Sequence, residues 1–587
     1  MWRPRAIWPE GRPVCWRNCS GLLPDMEFTE QLALLQAAAG DPAKLALATA
    51  DLAFPALPPG ERLALREALA AAAIAHWFDA NILADLLEIT AEESRVLHGR
   101  LCQLTVVEPF PARGETAVNV HEAARLALRK SLAAERTDWF RTLSERTATH
   151  FAKEPTPAAR IEWIYHRLCS APDEAASELE RLDRDWSGTA HPEDREALAV
   201  ALRELVGTGL IHARALVWAS LCIAWVREDR RETAQLGDDA LSIRDLARDV
   251  RDARAESDAE SLLGEVLQAQ GKLGEAQVAF AENLAISRRL AEQDPSNAGW
   301  QRDLAVAHSR VGGVLQAQGK LGEAQAAFAE DLAIMRRLAE QDPSNAGWQR
   351  ELAGAHSWVG DVLQAQDKLG EAQAAFAEDL AIMRRLAEQD PSNARWQRDL
   401  AVAHNRMGGV LQAQGKLDEA RAAFAEYLAI SRRLAEHDPS NAGWQRELAV
   451  AHICEGAVLE AQGELGEAQA AFAEGLAISR RLAEQDPSNA GWQRDLAVAH
   501  NCVGGVLQAQ GKLDEAQAAF AEALAISRRL AEQDPRNAGW QRDLAAAHNC
   551  VGGVLQAQGK LDEAQAAFAE ALAISRQLAE QDPSNAD

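Results

Sequence analysis

Tyrosine is nearly missing: across 587 residues it stands only at Tyr165 and Tyr427. β-Branched residues are also sparse, while Ala, Leu, Glu, Gln and Arg abound. That composition forms helices and leaves little from which to build a sheet. Positive balance is lacking, with 61 Lys and Arg against 88 Asp and Glu and a formal net charge of -27. The charge is spread along the chain, with no concentrated basic face of the kind phosphate contact requires. Nucleic acid is therefore not an expected partner, and a self-repelling acidic surface is. No G-x-x-x-x-G-K-[ST] phosphate loop occurs, so ATPase chemistry is not expected. No apolar run reaches transmembrane length and the N-terminus has no hydrophobic signal core, so the expectation is a cytoplasmic protein without membrane contact. The eight cysteines lack paired spacing. Cys454, Cys502 and Cys550 recur one per repeat and read as core or half-exposed thiols, and a disulfide framework is not expected. Cys15 and Cys19 have no further His or Cys nearby to complete a zinc site. The sequence thus predicts no catalytic residues, no metal and no cofactor.

What the chain does have is a beat. Trp300, Trp348, Trp396, Trp444, Trp492 and Trp540 lie 48 residues apart, each inside nearly the same segment. A seventh copy without the tryptophan starts near Ala253. In the copy from Trp300, Leu304, Ala307, Val311, Val314 and Leu315 draw one apolar stripe on a helix. Gly319 interrupts it and takes a turn at no steric cost; in the next copy Asp367 stands there. A second helix is predicted from about Leu321 to Glu340, ended by Asp342-Pro343, with Ser344-Asn345 offering capping oxygens to the next. Each unit is then a hairpin of two arms of about 18 to 20 residues, each roughly 27 to 30 Å long. Small residues such as Gly312 and Ala324 let the arms approach and Phe328 fills the space between them. The tryptophan packs at the start of the first arm against the preceding hairpin, and packing explains its regularity better than ligand stacking does.

Gly312, Leu315, Gly319, Ala324 and Phe328, repeated at Gly504, Leu507, Gly511, Ala516 and Phe520, resemble the tetratricopeptide repeat family. The departure is length, 48 residues against the family's period of about 34. The family's first-helix aromatic is replaced by His308, His356, His404, His452, His500 and His548. Adjacent copies stand near 10 Å apart or more, too far to share an ion, so packed, hydrogen-bonded histidines are expected. The resemblance implies an all-α, right-handed superhelical solenoid whose concave groove, lined mainly by first helices, binds peptides or protein surfaces. Positions that differ between near-identical copies are the candidate contacts: Ser309 and Arg310, Ser357 and Trp358, Asn405 and Arg406, Ile453 and Cys454, Asn501 and Cys502, Asn549 and Cys550. Gln316, Gln364, Gln412, Glu460, Gln508 and Gln556, seven residues after the first of each pair, belong on the same face. Drift on an unused surface explains the same variation. A second variable position, Asn283, Asp331, Asp379, Tyr427, Gly475, Ala523 and Ala571, is expected to be partly exposed.

Four segments are expected: a helical stretch over 1–59, a distinct small domain over 60–132, degenerate helical hairpins over 133–252 that cap the solenoid, and seven repeats over 253–587. In the first, helices are predicted from Met26 to Ala38 and from Pro42 to Phe54, before a break at Pro55, Pro58 and Pro59. In the second, helices are predicted at Glu61 to Phe78, Ile82 to Leu87 and, capped by Thr90 with Glu93, onward to about Leu104. Thr105 to Phe110 and Ala117 to Val120 then form a two-stranded wing around a turn at Pro111 to Gly114. F-x-A-N-I-L-A-D-L-L from Phe78, L-x-x-L from Leu101 and V-N-V-H-E-A-A-R from Val118 resemble the winged-helix domain of STAND signalling ATPases. In that family a histidine like His121 can face the nucleotide; without a phosphate loop, His121 is expected to be a wing or core residue. Arg95, His98 and Arg100 beside Glu92 and Glu93 make a thin basic footprint for DNA.

The function expected from all this is a non-enzymatic scaffold or sensor arm that recruits a protein or peptide partner through the groove. The alternative is a signalling, transcriptional or bacterial defence regulator related to STAND proteins, working with an ATPase or effector on another chain. The sequence stops after a repeat without a visibly polar capping helix. Three outcomes stand open there: tolerated exposure, self-association through that end, or further chain.

Overall fold

The computed structural model describes residues 40–54, 56–187, 192–229, 235–535 and 537–581. Cys15, Cys19, the helix expected at Met26 to Ala38, the break at Pro55 and the last residues lie outside them. The contacts divide the chain into two units, the first running to Ile223 and the second starting at Ala224.

In the first unit Asp41 caps a helix over Pro42–Ala53. The next helix spans Pro59–Ala72 and stops six residues before the predicted Phe78. Tertiary pairing explains the difference: Phe78 exchanges two backbone hydrogen bonds with Val118, at 2.7 and 2.9 Å, and so is pulled into extended chain. Asp79 caps Ala80–Leu87. Thr90 and Glu93 form the reciprocal capping box of the helix Ala91–Leu101. Strands β1 (Val107–Pro109) and β2 (Val118–Val120) pair antiparallel, Glu108 opposite Asn119. His121 is exposed and stands just before the helix Glu122–Glu135, so it is not a core residue. Helices Thr137–Phe151, Pro157–Ser170, Pro172–Trp186 and Pro192–Thr208 follow, three of them opened by the proline that suits a first helical turn.

The second unit is an all-α stack of helical hairpins. After the helix Leu236–Asp249 comes a hairpin of Ala253–Ala269 and Leu273–Gln293. Six more follow, each with a first arm of 20 residues and a second of 21, such as Ala298–Ala317 with Leu321–Gln341 and Ala346–Ala365 with Leu369–Gln389. Asn345 Oδ1 accepts from the Trp348 N–H at 3.2 Å and caps the first arm, while Ser344 turns its hydroxyl onto Asp342 at 2.6 Å. The turn glycine Gly319 has φ +75°, and Asp367 takes the same left-handed turn at φ +60°. The arms meet at a glycine facing a phenylalanine: a Cβ on Gly312 would lie 2.7 Å from the Phe328 ring. Trp348 packs against Ile334, Met335 and Leu338 of the preceding second arm, as the tryptophan beat predicts.

Polar side chains join one hairpin to the next. Arg302 pairs with Glu351 at 2.6 Å, and the same step of 49 residues joins Arg350 to Asp399, Arg398 to Glu447, Arg446 to Asp495 and Arg494 to Asp543. Gln318 Nε2 donates to the Leu273 carbonyl of the hairpin before it at 3.0 Å. Within this unit the turn at Gly271 also meets the start of the last first arm: a Cβ on Gly271 would overlap the Ala538 methyl group.

Candidate functional site

Between the first arms Ala298–Ala317, Ala346–Ala365 and Ala394–Ala413 lies a groove of about 380 Å³. First-arm residues make most of its lining, and Asp331, Met335, Asp379 and Met383 of the second arms Leu321–Gln341 and Leu369–Gln389 complete it. The groove brings together four of the residues predicted from sequence, Ser309, Ser357, Trp358 and Arg406. Trp358 is 43% exposed, and its ring lies parallel to that of Phe328 at 6.0 Å. Arg406 reaches Asp361 at 3.6 Å. Its counterpart Arg310 is held against Glu265 at 3.2 Å and over the Trp225 ring, and does not line the groove. Cys454 is half-buried and donates to Asn405 Oδ1 at 3.3 Å. Burial pushes its thiol up to about 12 and that of Cys502 to about 11, so neither is a nucleophile at neutral pH. Ile453, Asn501 and Cys550 are half-buried and Asn549 is exposed, all outside the groove. Gln316, Gln364, Gln412, Glu460 and Gln508 are half-buried and Gln556 is exposed; none lines the groove either.

The second variable position is not partly exposed. Asn283, Asp331 and Asp379 are each 4% exposed, and Tyr427, Ala523 and Ala571 are buried as well. The position faces the first arm of its own hairpin. Asn283 donates to the Ser257 carbonyl at 2.9 Å, and Asp379 accepts from the Ser357 hydroxyl at 2.5 Å. Gly475 lies under Ile453, where a Cβ would come within 3.1 Å of the isoleucine side chain. Variation there is paired repacking inside the hairpin, which a single sequence read one position at a time does not display.

Two aspartates at this position, Asp331 and Asp379, reach the groove floor. Ser309 turns its hydroxyl to the Val306 carbonyl at 2.8 Å, so Asp331 lacks the donor that Asp379 has. Among the described residues no donor reaches Asp331. Burial, with the negative charge of Glu351 second, holds its carboxyl up at about 7. Burial likewise lifts Asp379 to about 6 against the Ser357 hydrogen bond. The repeated histidines are buried, and desolvation lowers them all.

Among the described residues the one group close enough to share an ion is in the first unit: His76, Glu162 and His166. His76 Nδ1 lies 2.7 Å from Glu162 Oε2, and Arg125 Nη2 lies 2.5 Å from Glu204 Oε2. Arg129 stacks over the neighbouring Tyr165 and donates to the Ile74 carbonyl at 2.6 Å. Glu204 is paired by the buried Arg125 guanidinium and Glu162 by His76, while Arg129 adds a second buried positive charge beside them. A divalent ion would be an uncompensated charge there, so this cluster is an electrostatic tie between helices. A second concavity of this unit, about 870 Å³, is open and polar and holds the Asp85, His150 and Lys153 network.

The tetratricopeptide repeat family model matches residues 400–440, 496–537 and 544–584. The matched segments are tetratricopeptide repeats. The remaining hairpins of the array carry the same glycine, alanine and phenylalanine positions. No curated protein matches the chain. Among solved structures it is similar to a STAND protein with a tetratricopeptide repeat sensor from Pyrococcus horikoshii, at 13% identity over 88% of this chain and 72% of that one, TM-score 0.46. It is also similar to a Rap protein complexed with competence and sporulation factor, at 14% identity over 69% and 99%, TM-score 0.42. A third is the quorum sensor NprR from B. thuringiensis, at 12% identity over 68% and 99%, TM-score 0.38. Among the described residues no helix is long and apolar enough to cross a membrane.

Proposed function

We propose that the tetratricopeptide array is a non-enzymatic binding scaffold that holds a protein or peptide segment in the groove between residues 298 and 413. The observation that carries this reading is the groove itself: side chains that vary between otherwise near-identical repeats, Ser309, Ser357, Trp358 and Arg406, converge on one concavity. An exposed indole beside a charged floor is the kind of anchor on which peptide recognition concentrates its energy. The fixed positions build the stack, and the varied ones give one stretch of it a distinct chemistry.

The test is site-specific photocrosslinking in the full chain, expressed in its own cells. The photoreactive residue p-benzoylphenylalanine replaces Trp358 in the groove or, as a control, exposed Glu275 on a second arm. A discrete partner crosslinked from position 358 and absent from position 275 supports the groove. The same set of products from both positions, or none from 358, overturns it.

A further inference from the structure

We infer that the groove floor is a subsite for a cationic side chain, a lysine or arginine of the bound peptide segment, recognised by Asp331, with Asp379 of the next hairpin adding a second acidic group to the same floor. This inference rests on the groove reading above.

The charge inventory of the groove supports it. Each arginine that lines it already has an acidic partner: Arg302 with Glu351, Arg350 with Asp399, Arg406 with Asp361. Asp379 accepts one neutral hydrogen bond, from Ser357. Asp331 is 4% exposed, lines the cavity and has no donor among the described residues. A largely buried carboxyl with no protein donor carries a desolvation cost, and its open side faces the cavity, from which a donor can arrive. The like charge of Glu351 nearby raises that cost, and the carboxyl responds by holding its proton to about pH 7. An ammonium or guanidinium group entering the groove meets both needs, supplying donors and the missing positive charge.

The walls suit the rest of such a residue. Met335 and Met383 line the groove next to the two aspartates and give an adaptable apolar surface for a long aliphatic stem. Exposed Trp358 offers a ring face to a guanidinium at the rim. A metal ion is a poorer occupant. The two carboxylates come from consecutive hairpins, and among the described residues neither belongs to a group of three or more ligand residues close enough to share an ion.

The test uses bead libraries of end-blocked nonapeptides with randomised flanks and a fixed centre of Lys, Arg, citrulline or Glu, probed with the full chain. The variant is Asp331→Asn with Asp379→Asn. Asparagine is already tolerated at this position, as Asn283 shows in the first hairpin, so the fold is expected to survive; circular dichroism checks it. The expected result is retention on the Lys and Arg libraries at about tenfold lower protein concentration than on citrulline or Glu, a difference of about 1.4 kcal/mol. The double variant loses that preference. If peptides bind without charge preference, or the variant keeps it, the cationic subsite is overturned and the groove stands. If no library binds at all, the groove reading itself falls and the subsite with it.

Discussion

A single position in the second arm shows that these near-identical repeats differ inside as well as on the groove surface. Opposite the residue that follows each histidine stand, in turn, aspartate under serine, tyrosine under asparagine, and glycine under isoleucine. At one of these pairs volume is exchanged, with Gly475 beneath the bulkier Ile453. Where the pair is Ser309 with Asp331, the exchange leaves a buried acid. Its folded value of about 7 lies above the ordinary 3.8, so folding takes up a proton. Stability from this group is complete below pH 3.8 and declines as pH rises towards 7. Asp331→Asn is therefore expected to stabilise the protein, with a gain that is absent below about pH 4, grows between pH 4 and 7, and levels off above. At about 1.4 kcal/mol per pKa unit the plateau is on the order of 2–4 kcal/mol. Urea unfolding at pH 4, 6 and 8 measures it; a gain independent of pH would mean that Asp331 is not held protonated. A residue whose removal strengthens the fold and weakens binding is the signature expected of a site rather than of a structural tie.

At the scale of the helical hairpin, two kinds of contact join the arms, and their energies differ. The arginine ladder is half in solvent, with Arg350 at 31% and Asp399 at 16% side-chain exposure, so each rung contributes little. The glycine–phenylalanine approach is buried and leaves no room: a Cβ on Gly360 would lie 2.5 Å from the Phe376 ring. Arg350→Ala is expected to cost less than about 1 kcal/mol. Gly360→Ala, which forces the ring or the helix to move, is expected to cost about 1–3 kcal/mol. Comparing the urea midpoints of the two variants checks the order; equal effects would contradict it. The hairpins were legible in the sequence because period, breaker and cap are local signals. The glycine and phenylalanine were legible too, since both recur at one offset. The ladder was not. Its two ends sit in adjacent residues of the repeated Q-R-[DE] segment, and nothing local tells that each arginine reaches the acid of the next copy instead of its own neighbour.

Across the array as a whole, the turn at Gly271 and the start of the helix Ala538–Ala557 meet although 267 positions separate them. Asp534 and Asn537 are buried at this contact, while the matching Asp342 is exposed. A small rotation repeated at every hairpin brings distant copies together. Ala538→Gln is expected to push this contact apart and raise the radius of gyration in solution scattering, whereas Ala394→Gln at the matching place of an inner repeat leaves it unchanged. Identical profiles for the two variants would show that the contact does not hold the array.

The sequence by itself determined the helical hairpins, their length, the turn residues, the packed tryptophans and the absence of a phosphate loop. All of these follow from periodicity and from backbone preferences that act within one turn of chain. The tertiary structure decided which variable residues share a space. It separated Arg310 from Arg406, put Asp331 on the groove floor beside Trp358 and hid the second variable position. The reason is that burial is set by the neighbouring hairpin. In a chain of near-identical copies, the local sequence around each variable residue is almost the same, and only its surroundings in the stack tell one from another.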